Sequence, residues 1–174
     1  MARRAGLAVL VLLVVAACSS SQATHVSSSS SAPAQTFVGG CSDTVLTDAE
    51  PPAWAQGGWQ VETGAPWPVP WAFGTQHTFV AFLFSTRLVA GPSPRVDGTN
   101  NKILWVTKDS LPAANAVVVG SPVGESLPVI TFPDGPSIVD LPLPGCWAFH
   151  PSWSTKGQPV SSIDLEVLPA GTMP

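Results

Sequence analysis

Turn-forming residues cut the chain from Phe37 onward into short apolar or alternating runs, and this punctuation constrains the fold more than any other feature. Gly91-Pro92, Asp97-Gly98, Pro122, Pro133-Asp134-Gly135 and Pro144-Gly145 all fall between runs. The clearest run is Ser161 to Val167, where Ile163, Leu165 and Val167 alternate with Ser162, Asp164 and Glu166, the period of a strand with one wet face. His77 to Phe84 is apolar on both faces after its start and reads as an interior strand. Lys102 to Lys108, Asn115 to Val119, Val129 to Phe132, Ser137 to Leu141 and Cys146 to His150 supply the others. About seven or eight short strands at this spacing, with no helical pattern of useful length among them, predict an all-β sandwich.

The first eighteen residues give an address. Arg3 and Arg4 precede an apolar run from Ala5 to Val15, and Ala16-Ala17 precede Cys18. The run is too short to span a bilayer with ease, and polar Ser19 to Gln22 follow at once, so it reads as an export signal. Small residues before a cysteine resemble the bacterial lipobox, which implies cleavage before Cys18 and lipid on its thiol. Two acyl chains anchor stably where one is marginal. The competing reading, an ordinary secreted chain cleaved after Ala17, leaves Cys18 without a purpose. The expected organisation is a signal peptide over 1–17, a lipidated Cys18 and Ser/Ala-rich tether over 18–36, a sandwich over 37–170 and a tail over 171–174. The tether has almost nothing to bury and reads as flexible, with a reach on the order of 20 to 25 Å.

Charge narrows the partners. Without Arg3 and Arg4 the chain keeps five basic residues, Arg87, Arg95, Lys102, Lys108 and Lys156, scattered singly against eleven acidic ones. That pattern excludes nucleic acid, whose phosphates need clustered Lys and Arg. The expected partners are the membrane, through the lipid on Cys18, and an envelope protein or glycan, with the domain on the outer face of the cytoplasmic membrane. Two thiols remain in the domain, Cys41 and Cys146, and export to an oxidising compartment predicts that they pair.

Trp54, Trp59, Trp67 and Trp71 fall among Pro51, Pro52, Gly57, Gly58, Gly64, Pro66, Pro68 and Pro70. Each proline removes a backbone donor and each glycine adds chain entropy, so this segment should wrap over the sandwich instead of forming a regular interior strand. The four rings read either as an exposed aromatic platform for sugar rings or a partner peptide, or as a lid over the core. Trp105 and Trp147 sit inside strands and read as core.

Signals for chemistry are weak. His77 and His150 lie at strand ends, and with the thiols oxidised a zinc site lacks ligands. Copper held by His77, His150 and Met173 matches no spacing motif. Asp97-Gly98-Thr99-Asn100-Asn101 offers calcium-like oxygens without the bidentate Glu, and a turn is the simpler account. No Gly-x-Ser-x-Gly context supports a serine hydrolase. The expectation is therefore no catalytic residue, no metal and no cofactor.

The stretch Pro144-Gly145-Cys146-Trp147-Ala148-Phe149, followed by Ile163-Asp164-Leu165-Glu166-Val167, looks like the last two strands of an immunoglobulin-like sandwich. It departs from antibody-type domains in lacking any tyrosine, and in placing its first cysteine before the first strong strand. Together with Asn100-Asn101-Lys102-Ile103-Leu104-Trp105-Val106 and Ser137-Ile138-Val139-Asp140, residues 77 to 168 resemble a group of small, uncharacterised actinobacterial exported lipoproteins. That resemblance implies the fold and the address and carries no catalytic residue. The expected function is a lipid-anchored extracytoplasmic binding or structural module. The alternatives are an envelope glycan-binding module using the Trp54 to Trp71 segment, and a metal carrier or hydrolase built around His77 or His150.

Overall fold

The computed structural model describes residues 33–85, 87–108, 117–152 and 160–174. The signal, Cys18 and the tether to residue 32 lie outside the described residues, as do Asn115 at the start of one expected strand and Lys156. Eleven strands run in chain order among the described residues: β1 (Thr36–Phe37), β2 (Leu46–Thr47), β3 (Trp71–Phe73), β4 (Phe79–Leu83), β5 (Leu88–Val89), β6 (Lys102–Thr107), β7 (Val117–Pro122), β8 (Ile130–Pro133), β9 (Pro136–Ile138), β10 (Gly145–Pro151) and β11 (Ile163–Leu168). They form a six-stranded sheet in the order β1-β2-β3-β4-β6-β9 and a five-stranded sheet in the order β5-β11-β10-β7-β8. The count exceeds the expected seven or eight because β1, β2, β3 and β5 are pieces of two or three residues. Their backbones pair, but they are too short to carry an alternating pattern.

The alternation at the end of the chain behaves as its chemistry requires. Ile163, Leu165 and Val167 of β11 are buried while Asp164 and Glu166 on the other face are partly exposed. Trp147 and Phe149 of β10 point into the same core, and Trp105 of the opposite sheet meets Phe149 at 5.2 Å between ring centroids. Leu46, Phe79, Ala81, Ile103, Leu141 and Ile163 fill the remaining space between the sheets. Gly120 of β7 is glycine for a packing reason: a Cβ there would come within 2.9 Å of the Phe149 ring.

Asn101 ties three segments together from inside. It is fully buried; its Nδ2 donates to the carbonyls of Val89 (2.7 Å) and Val139 (3.1 Å), and its Oδ1 accepts the Val89 N–H (3.0 Å). A buried amide so fully paired fixes β5 against the approach to β6 at little net cost.

The N-terminal segment crosses between sheets. After β1 in the six-stranded sheet, the Gly39 carbonyl accepts the Glu166 N–H (2.8 Å) and the Cys41 N–H donates to the Asp164 carbonyl (3.0 Å), alongside β11 of the other sheet. Cys41 and Cys146 form a disulfide with a Cα separation of 5.9 Å, which joins this segment to the penultimate strand. The chain then returns to the first sheet at β2.

Candidate functional site

β4 is buried on both faces, which raises the question of what covers its outer side. Phe79, Ala81 and Leu83 enter the inter-sheet core, whereas Val80 and Phe82 point outward with Leu104 and Val106 of β6. The Trp54 to Trp71 segment closes over them. Its course is set by turns: a 3-10 turn over Ala53–Ala55, and two reversals at Gly58 and Gly64, whose φ angles of 83° and 82° disfavour residues with a Cβ. The Trp67 N–H donates to the Asp48 carbonyl (2.8 Å) and the Trp71 indole Nε1 donates to the Ala49 carbonyl (2.7 Å), so the segment is sewn to the end of β2.

The four tryptophans therefore do not form an exposed platform. Trp67 and Trp71 are buried, at 7% and 3% exposure, because the apolar outer face of β4 and β6 takes them. Trp54 and Trp59 are half-buried against the same cluster. Trp71 also departs from the expected irregular wrap: it opens β3, which pairs with both β2 and β4. Trp59 packs at 5.6 Å from Trp67 and 5.3 Å from Phe82, and stacks at 6.0 Å on Phe84, over which the Lys102 ammonium sits at 4.8 Å.

Beside Trp59 lies a groove of about 620 Å³ between the start of the described chain and the Trp segment. Its walls carry Trp59, Trp67, Val61, Gln56 and the carboxylates Asp48, Glu50 and Glu62, with no Lys or Arg among the described residues. Asp48 is buried and its Oδ1 accepts the Gln35 N–H at 2.6 Å, which holds the wall formed by Pro33 and Ala34. Gln56 Nε2 donates to the Pro51 carbonyl (2.6 Å) and to Glu50 (3.2 Å). The indole Nε1 of Trp67 is buried with no hydrogen-bond partner among the described residues. An N–H left in that state costs about 1 to 3 kcal/mol.

Two other hollows flank the fold. One, of about 530 Å³, is lined by Trp71, Phe73 and His77, with Asp43, Ser162 and Asp164 opposite. His77 stacks on Phe73 at 4.6 Å and takes a left-handed φ of 54°, so the strand expected from His77 begins only at Phe79. The carboxylate of Asp164 accepts the Ser162 hydroxyl at 2.9 Å. The other hollow, of about 730 Å³, is open and lies along the disulfide beside the Arg87–Glu166 ion pair.

The remaining sequence candidates stay apart. His150 is half-buried on the outer face of β10, and burial lowers its pKa; it lines none of these three hollows. Asp140 accepts the Ser93 hydroxyl at 2.7 Å. Asp97 accepts the Thr99 N–H (2.9 Å) and hydroxyl (2.8 Å) and meets Arg95 at 3.0 Å, which is the bonding of a self-contained turn. Among the described residues no group of three or more His, Cys, Asp or Glu side chains is placed to hold a metal ion. Sequence reasoning missed Asp48, Glu50, Gln56 and Glu62, whose only signal is their nearness along the chain to Trp54 and Trp59.

No family model, no curated protein and no solved structure matches this chain.

Proposed function

We propose that this chain is a lipid-anchored, extracytoplasmic binding module with an immunoglobulin-like sandwich and no catalytic activity of its own, and that the groove beside Trp59 is its recognition surface. The observation that carries the reading is that groove: a half-buried tryptophan and a carboxylate-lined wall around one concave space. Its volume lies within the range of roughly 300 to 1,000 Å³ common to small-ligand sites. The export and anchoring part rests on Arg3, Arg4, the apolar run and Ala16-Ala17-Cys18.

The immunoglobulin-like part is supported by strand order. With β4, β6 and β9 taken as strands A, B and E, and β7, β8, β10 and β11 as C, C′, F and G, the orders A-B-E and C′-C-F-G support that reading, although no strand among the described residues takes the place of D. β1 to β3 then extend the first sheet beyond strand A, and the disulfide ties the N-terminal segment to strand F in place of the usual link between B and F.

Photo-crosslinking in intact cells tests the binding reading. A photoreactive residue at Thr63, on the groove wall, should capture an envelope component, and one at exposed Thr131 of β8 on the other sheet should not. Equal labelling from both positions refutes it.

A further inference from the structure

We infer that the ligand of the Trp59 groove is a non-anionic sugar, an uncharged or amine-bearing pyranose unit. This rests on the reading of the groove as the recognition surface and adds the chemistry it selects. Three features of the wall point the same way.

The first is charge. Asp48, Glu50 and Glu62 line the groove and, among the described residues, no Lys or Arg does; the ammonium of Lys102 is engaged over the Phe84 ring. A ligand carrying carboxylates or phosphates would meet like charge at short range in a partly desolvated space, where repulsion is stronger than in water. Hydroxyl and ammonium groups, in contrast, donate to carboxylates.

The second is a call for donors beside a flat apolar ring. Glu62 is exposed and calls for donors, and Asp48 and Glu50 each accept one already, from the Gln35 N–H and from Gln56 Nε2, with acceptor capacity beyond it. Sugar hydroxyls supply several such donors from one rigid ring. A lone ammonium on an alkyl stem offers donors but no ring face to set against Trp59. Trp59, half-buried at the groove wall, supplies the flat apolar contact against which the C–H face of a pyranose packs.

The third concerns backbone. Every described residue lining the groove lies outside the strands, so among the described residues no strand edge is there to pair with an extended peptide. A peptide would lose its main-chain hydrogen bonds, whereas a sugar loses nothing by the absence of a ladder.

The test uses the full chain purified in a polyoxyethylene detergent, which has no sugar headgroup. Tryptophan fluorescence and calorimetry are followed with cellotetraose, mannotetraose, galactotetraose, a glucosamine tetramer, a galacturonate tetramer and a lysine-rich extended peptide. At least one neutral or amine-bearing tetramer should bind saturably, with the galacturonate tetramer and the peptide at least tenfold weaker. Trp59→Ala should weaken that binding tenfold or more. Glu62 is exposed, so Glu62→Gln should leave the fold intact, and it should narrow the gap to galacturonate at least threefold. Binding confined to galacturonate or to the peptide, no binding by any tetramer, or an unchanged affinity in Trp59→Ala overturns the inference. If the Thr63 photoprobe still captures an envelope component in that case, the ligand class alone is wrong. If it does not, the binding reading falls with it.

Discussion

Replacing Trp71 with alanine separates the covering role of the Trp segment from its recognition role. Trp71 is 3% exposed, meets Phe73 edge-on at 4.8 Å between ring centroids, and packs on Phe82. Truncating a buried aromatic of this size costs about 3 to 5 kcal/mol through lost burial and the cavity left behind. The change also strands the Ala49 carbonyl that now accepts the indole N–H at 2.7 Å, which adds about 1 kcal/mol. Domains of this size have a total stability of about 5 to 15 kcal/mol, so the variant should be near the edge of folding. With a sensitivity of roughly 3 to 5 °C per kcal/mol, the calorimetric Tm should fall by about 12 °C or more. Trp71→Phe keeps most of the ring and removes the donor, and should lose less than half as much. The assay is differential scanning calorimetry with the disulfide intact, checked by near-ultraviolet circular dichroism. A drop below about 5 °C for Trp71→Ala would refute the packing argument, because the outer face of β4 would then not depend on this ring.

Converting Cys41 and Cys146 both to Ala opens a link across 105 residues and should cost about 4 to 5 kcal/mol on the chain-entropy model, read from urea unfolding. Asn101→Ala strands the Val89 N–H and two carbonyls in the interior and should cost about 3 kcal/mol, with Asn101→Asp no better; an unchanged denaturation midpoint would count against the buried amide as a tie. Burial lowers the His150 pKa, so the unfolded chain binds the proton more readily than the folded one. Stability at this position is therefore full above the unfolded value of about 6.5 and declines as pH falls below it, and His150→Gln should flatten the Tm profile between about pH 7 and 5. Cys18→Ala should leave an uncleaved precursor or release the chain from membranes, and normal cleavage with unchanged membrane partition would remove the lipid reading.

Legibility in the sequence followed the length of each element. β11 announces itself through Ile163, Leu165 and Val167 because six residues suffice to repeat a period of two. β4 was readable as interior from its apolar residues on both faces, but nothing local says that Val80 and Phe82 are covered by a segment earlier in the chain. β1, β2 and β5 have two residues each, and their pairing is a backbone event that side-chain pattern does not encode. Trp71 was misread for a related reason. Pro68 and Pro70 mark an irregular path up to it, yet the Pro70 carbonyl already accepts the Leu83 N–H at 2.8 Å, and the ladder with β4 begins there. The groove was the least legible part, since its acids are ordinary surface residues until Asp48, Glu50 and Glu62 are brought around Trp59.

The crossing of the N-terminal segment between sheets sets how the domain bears tension. A pull applied ahead of Pro33 first loads the hydrogen bonds between Gln35 and Asp48 and then β1, where Thr36 and Phe37 are paired with Thr47 and Leu46. That short contact can be sheared off, but the load then arrives at Cys41, where it passes covalently into β10 in the middle of the other sheet. The slack released before that point is the run from Pro33 to Cys41, at most about 30 Å when fully extended. The residues between Cys41 and Cys146 lie inside the covalent loop that the disulfide closes, so the load along the chain bypasses them. The Pro33–Ala34 wall of the groove lies ahead of the disulfide, so under tension the groove opens before the core is strained.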